Sequence, residues 1–125
     1  MKLTVIGTGY VGLVTGACFA SADNEVVCVD KDRKKIELLK SAEIPFFEPN
    51  LQDLVKQSYS NGKLSFQLGH DEKSLSSDIY FIAVGTPQSK DGSVNMDFVW
   101  DAAKEIGRGA IKDFIVVNKS TMAIG

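Results

Sequence analysis

Long apolar runs are missing from this chain: none reaches the roughly 20 residues that a helix needs to span a bilayer, which excludes a spanning helix within these 125 residues. A dominant charge is missing too. Fourteen Lys and Arg stand against 16 Asp and Glu, a formal net charge of −2, so bulk attraction to nucleic acid is excluded. The basic cluster Lys31, Arg33, Lys34 and Lys35 is cancelled locally by Asp30, Asp32 and Glu37. Cysteine is scarce. Cys18 and Cys28 have neither a CxxC partner nor metal-ligand spacing, so a disulfide framework and a metal site are not expected. Cys28 lies within an apolar run, where burial as a small hydrophobe is the better reading than a catalytic thiol. The one histidine, His70, falls in a predicted loop without a partner and receives no chemistry. Internal repeats, low-complexity tracts and linkers are also absent, which leaves residues 1–125 as one domain, large enough to bury a core. The N-terminus enters a strand at once and does not read as a signal peptide. A reducing, cytoplasmic setting fits.

What the chain does have is a strand, a Gly-rich turn, a helix and a second strand over residues 3–30. The turn is Gly7-Thr8-Gly9-Tyr10-Val11-Gly12, and Asp30 ends the next apolar run about 20 residues on. A dinucleotide needs this spacing. Gly7 permits a tight exit from the strand, Gly9 leaves room for a pyrophosphate, and Gly12 lets the helix approach the sheet. Phosphate oxygens suit the amide groups and positive dipole end of the new helix. Asp30 would accept hydrogen bonds from ribose hydroxyls. The competing reading is a Gly-rich turn with no ligand.

Helix and strand patterns alternate along the rest, as in a parallel sheet with helices on both faces. Strands are predicted at 2–6, 25–29, 64–68, 79–84 and 114–117, the last two as buried runs. Helices are predicted at 11–22, nearly all small, apolar and therefore buried, and at 32–40, with Ile36 and Leu39 inward. A third is predicted at 51–60, with Leu51, Leu54, Val55, Ser58 and Tyr59 on one side. A fourth follows Asn95 as N-cap, its inner stripe comprising Met96, Val99, Trp100, Ala103, Ile106 and Gly107. Asn24 is the expected left-handed residue after the first helix, and 71–76 reads as a short helix. Prolines punctuate the loop at 44–49. The predicted fold is α/β, a Rossmann-type doubly wound parallel sheet of five strands in order 3-2-1-4-5, three layers deep, with a sixth strand truncated. Gly7, Gly85-Thr86 and Ser120-Thr121 end strands one, four and five, and these ends meet where ligands bind in open α/β sheets.

Together these clusters carry a resemblance. VIGTGYVGLVTGACFA at 5–20, CVDKDRKKI at 28–36, IPFFEPNL at 44–51, FIAVGTP at 81–87, DGSVNMDFV at 91–99 and KSTMAIG at 119–125 occur in the right order. In them the chain resembles the N-terminal part of the UDP-glucose 6-dehydrogenase family, which also holds GDP-mannose and UDP-N-acetylmannosamine dehydrogenases. The resemblance implies NAD as cofactor. It implies that Gly7, Gly9, Tyr10, Val11 and Gly12 form the pyrophosphate loop, that Asp30 and Lys35 reach the adenosine ribose, and that Val84, Gly85, Thr86 and Pro87 pass along the cofactor. Thr121 matches a threonine near the nicotinamide and a catalytic water, although Met122-Ala123 replaces the family's Val-Pro beside it.

The family oxidises the C6 alcohol of UDP-glucose to UDP-glucuronate with two NAD and a cysteine-bound intermediate. Its nucleophile matches neither Cys18 nor Cys28, so this piece is expected to be inactive by itself, with UDP-glucose bound only by a longer enzyme. The unpaired outer edge of strand five implies a homodimer or a marginally stable piece. Blander readings remain beside these. Lys35 also suits a solvated helix position, Thr86 before Pro87 a strand terminator, Thr121 a polar strand end, Glu48 a loop former and Trp100 a packing residue. The alternatives at this point are a related nucleotide-sugar dehydrogenase, a β-hydroxyacid-type dehydrogenase and a non-catalytic nucleotide-sensing module.

Overall fold

The computed structural model describes residues 1–41, 43–44, 49–85, 90–92 and 95–119. Five parallel strands, β1 (Lys2–Ile6), β2 (Glu25–Asp30), β3 (Leu64–Leu68), β4 (Ile79–Ile82) and β5 (Ile115–Asn118), line up in the order β3-β2-β1-β4-β5. The strand order reverses beside β1, where Val5 pairs with Cys28 on one side and Phe81 on the other. Period-two alternation sends neighbouring residues to opposite faces. Leu3, Val5, Cys28, Phe66 and Phe81 pack beneath α1 (Tyr10–Ser21), α2 (Arg33–Lys40) and α3 (Pro49–Ser60). Ile6, Tyr80 and Ile82 pack beneath α4 (Asp97–Gly109) on the other face. The expected strand order and three-layer arrangement are therefore present.

The helix after the Gly-rich turn is a weak helix former in isolation, because Gly12 and Gly16 each cost about 1 kcal/mol relative to alanine. Burial outweighs this: Leu13, Ala17 and Ala20 are sealed against the sheet, and a fully buried leucine alone contributes about 1.5–3 kcal/mol. Asp32 caps α2, its Oδ1 accepting from the Lys34 and Lys35 amides at 3.0 and 3.3 Å. Thr4 is a fully buried polar residue, satisfied by donating to the Ser74 carbonyl at 2.7 Å and by the Ser77 hydroxyl at 2.6 Å. That pair pins the 3₁₀ turn Ser74–Ser76 under β1.

Local expectations differ from the structure at several points. The left-handed residue after α1 is Asp23, at φ 68°, whereas Asn24 donates its side-chain amide to the Phe19 carbonyl at 3.0 Å. Val11 and Cys18 of α1 face outward, since a helix against one sheet face buries only one side. Asn95 does accept from the Asp97 amide at 2.9 Å, but Met96 occupies the cap position. The buried stripe of α4 is Val99, Ala102 and Ile106, so Ala103 and Gly107 point away and Trp100 is 56% exposed rather than packed. Among the described residues strand β5 pairs with β4, and Ile115 is 61% exposed, contrary to the buried reading of its apolar run.

Candidate functional site

The Gly-rich loop is held by three strand ends. Gly7 donates its amide to the Val29 carbonyl at 2.8 Å, tying the loop to β2. Its φ of 106° lies where only glycine is at ease, and a Cβ there would come within 2.5 Å of the Ala83 carbonyl beyond β4. A Cβ on Gly12 would collide with the carbonyl of Gly7, so the first turn of α1 rests on the loop itself. Val5 of β1 would follow at 3.5 Å, so Gly12 lets the helix start close to the strand end, the role expected for it. Gly16 carries the close approach one turn further, where a Cβ would meet Cys28 Sγ at 2.8 Å, and the four-residue Gly12/Gly16 spacing was the overlooked signal. Gly9 differs from all three: it caps α1 with no side chain, and a Cβ added there meets nothing within 4 Å.

Asp30, at the end of β2, reaches back to this loop. Its Oδ2 accepts from both the amide and the hydroxyl of Thr8, at 2.9 and 2.6 Å, while Oδ1 accepts from the Asp32 amide at 2.9 Å. Partial burial pulls the Asp30 carboxyl upward. The Thr8 hydroxyl, the Asp32 and Thr8 amides and the nearby Lys35 ammonium outweigh it, so the group lies below its ordinary value and is ionised at neutral pH. Thr8 is fully buried, a residue to which the sequence reading assigned no role.

A cleft of about 980 Å³ opens above these groups at the strand ends. It brings together Gly7, Gly9, Tyr10 and Val11 from the loop, Asp30 and Lys35 from the β2–α2 region, and Val84 and Gly85 from beyond β4. Gly12 is buried beneath the loop and does not line it. Thr86, Pro87, Ser120, Thr121 and Glu48 lie outside the described residues. The far wall was not anticipated: Phe98, Asp101, Ala102 and Glu105 line it from α4, at spacings that place them along one helix face. Lys119 lines it too, its amide donating to the Ile82 carbonyl at 2.7 Å.

His70 lines the same cleft and, contrary to the sequence reading, is not without partners. Its Nδ1 lies 3.0 Å from the Ser74 hydroxyl, and its buried Nε2 faces Glu105 Oε2 at 3.4 Å without hydrogen-bond geometry. Glu105 is held in turn by Lys31 Nζ at 2.9 Å, which joins the entrance of α2 to α4 across the cleft. Burial pushes the His70 imidazole down. Glu105 opposes this, Lys31 adds to it and Asp71 opposes it, and the net shift is below the ordinary histidine value. An unfolded chain therefore takes up this proton at higher pH than the folded one. The resulting stability is fully present above about pH 6.5 and is lost as pH falls through the lower folded value. His70→Gln should flatten that acid-side slope in urea unfolding measured at about pH 5 and about pH 7.5. The same slope in both proteins would refute the assignment.

The sequence profile of the UDP-glucose/GDP-mannose dehydrogenase family, NAD binding domain, matches residues 1–125. The chain belongs to that family. It is 43% identical over 125 residues to the UDP-glucose 6-dehydrogenase YwqF of Bacillus subtilis, covering all of this chain and 28% of that protein. Against the UDP-glucose 6-dehydrogenase TuaD of the same organism identity is 48% over 124 residues, covering 99% of this chain and 27% of that protein. A GDP-mannose dehydrogenase from Pseudomonas aeruginosa, solved as a ternary complex, superposes with a TM-score of 0.90 at 34% identity, over 98% of this chain and 29% of that one. The chain thus spans well under a third of the length of these relatives. Membership of the nucleotide-sugar dehydrogenase family replaces the nucleotide-sensing alternative. Among the described residues no helix is long and apolar enough to cross a membrane, and no group of three or more His, Cys, Asp or Glu could hold a metal ion.

Proposed function

We propose that the cleft at the strand ends holds NAD, with Gly7, Gly9, Tyr10, Val11 and Gly12 forming its pyrophosphate loop and Asp30 and Lys35 serving its adenosine ribose. In this reading Val84, Gly85, Thr86 and Pro87 run along the cofactor and Thr121 stands toward its nicotinamide. Residues 1–125 act as one cofactor-binding domain. The observation that carries the proposal is the ionised, half-buried Asp30 carboxylate on the wall of a cleft whose loop has open space at Gly9. A pyrophosphate requires that space, and the amides and dipole of the α1 N-terminus favour its negative charge.

When bound, NAD supplies the hydride acceptor. The chain supplies binding and orientation. Gly9 keeps the loop open to phosphate, Asp30 accepts from a ribose hydroxyl, and the apolar side chains of Val11 and Val84 exclude water along the cleft. Cys28 takes no part, being fully buried with its thiol pushed up to about 12. For the whole protein the reading is oxidation of the C6 alcohol of UDP-glucose to the carboxylate, in the cytoplasm, with GDP-mannose or UDP-N-acetylmannosamine as the alternative substrate. Isothermal titration of this chain with NAD tests the core of the proposal, and saturable one-to-one binding is the expected result. No heat of binding at millimolar NAD would overturn it.

A further inference from the structure

A carboxylate has about four acceptor sites, two on each oxygen. In Asp30 the chain itself fills three: Thr8 occupies Oδ2 twice, through its amide at 2.9 Å and its hydroxyl at 2.6 Å, and the Asp32 amide takes one site on Oδ1 at 2.9 Å. Among the described residues, only Oδ1 keeps a site for a ligand. Thr8 is itself fully buried and follows Gly7, whose amide is bonded to the Val29 carbonyl, so the hydroxyl that grips Oδ2 cannot drift. Asp32 is anchored as the cap of α2, which secures the other side of the carboxylate. The bond from the Thr8 hydroxyl is charge-assisted and short, the kind that fixes an orientation most firmly.

We infer that Thr8 is a positioning residue that locks the Asp30 carboxylate so that Oδ1 is the oxygen offered to the cofactor, reading the 2′-hydroxyl of the adenosine ribose. The inference rests on the proposed NAD site and adds to it a named determinant of ribose recognition. It also explains the arrangement chemically. Without the Thr8 hydroxyl, one site on Oδ2 would open and the carboxylate, held by the Thr8 and Asp32 amides alone, could also accept there from a second ribose hydroxyl or from water. A fixed acceptor discriminates between a hydroxyl and its absence better than a mobile one, because a mobile group finds another partner when the hydroxyl is missing.

The test compares affinities for NAD and for its 2′-deoxyadenosine analogue by isothermal titration in wild type, Thr8→Val and Thr8→Ser. Wild type should prefer NAD by about 10-fold or more, the usual return on a hydrogen bond to a charged group. In Thr8→Val the preference should fall to about threefold or less, and Thr8→Ser should restore it to within about twofold of wild type. A role confined to supporting the loop would weaken both ligands equally and leave the ratio unchanged, which would overturn the inference. Should Thr8→Val fail to fold, Thr8→Ala removes the same hydroxyl without adding bulk and carries the same expectation. A wild type that binds NAD without any preference over the analogue overturns the ribose role of Asp30 and this inference together. A retained preference in Thr8→Val overturns this inference and leaves the NAD site standing.

Discussion

Asp30→Ala is expected to lower NAD affinity by about 10- to 100-fold, the cost of removing a charge-assisted hydrogen bond whose acceptor is already oriented. The change should also narrow the gap between NAD and NADP. In the native chain a 2′-phosphate would meet the Asp30 anion, whereas Lys31 and Lys35 line the same cleft and favour phosphate once that anion is gone. Stability should drop as well, because the Thr8 amide and hydroxyl lose their shared acceptor and a buried donor left unpaired costs about 1–3 kcal/mol. Titration with both nucleotides and a thermal melt read the three effects separately. Equal NAD affinity in wild type and Asp30→Ala would refute the ribose role.

Replacing two glycines of one loop should separate binding from folding. Gly12→Ala puts a methyl group against the backbone carbonyl of Gly7, which cannot yield as the end of a flexible side chain would. The expected cost is about 1–3 kcal/mol of stability, the range for overpacking. Gly9→Ala places its methyl group in open space at an extended backbone position, so stability should change by about 0.5 kcal/mol or less. NAD affinity should nevertheless fall by about 10-fold or more in Gly9→Ala, because that open space is where the pyrophosphate must approach the backbone. Urea unfolding and NAD titration of the two variants decide the matter. Unchanged NAD affinity in Gly9→Ala would show that the pyrophosphate does not pass there.

Much of this site was legible because it is local. A glycine turn after an apolar run and an acid at the end of the next strand are close in sequence, and the strand–helix–strand geometry that joins them has few alternatives. The strand order followed from the alternation of patterns. Less legible were features that depend on which neighbour arrives. The apolar run of β5 reads as a buried strand, yet among the described residues it pairs with β4 alone and leaves Ile115 exposed. Trp100 sits at a spacing compatible with the inner face of α4, but the buried stripe keeps Val99 and Ile106 and takes Ala102 in place of Trp100 and Ala103, which turns Trp100 outward. That shift is less than the step of one residue around the helix and cannot be told from composition when apolar residues occur on both sides.

By itself the sequence determined the class of fold, the family and the pairing of a glycine loop with Asp30, because hydrophobic period and short-range spacing constrain the backbone directly. Only the tertiary structure decided that Gly16, as well as Gly12, admits the helix to the sheet, that His70 meets Glu105 across the cleft, and that Thr8 occupies one oxygen of Asp30. Each of these is a contact between side chains or backbones brought together by packing, at distances of a few ångströms that no spacing along the chain encodes.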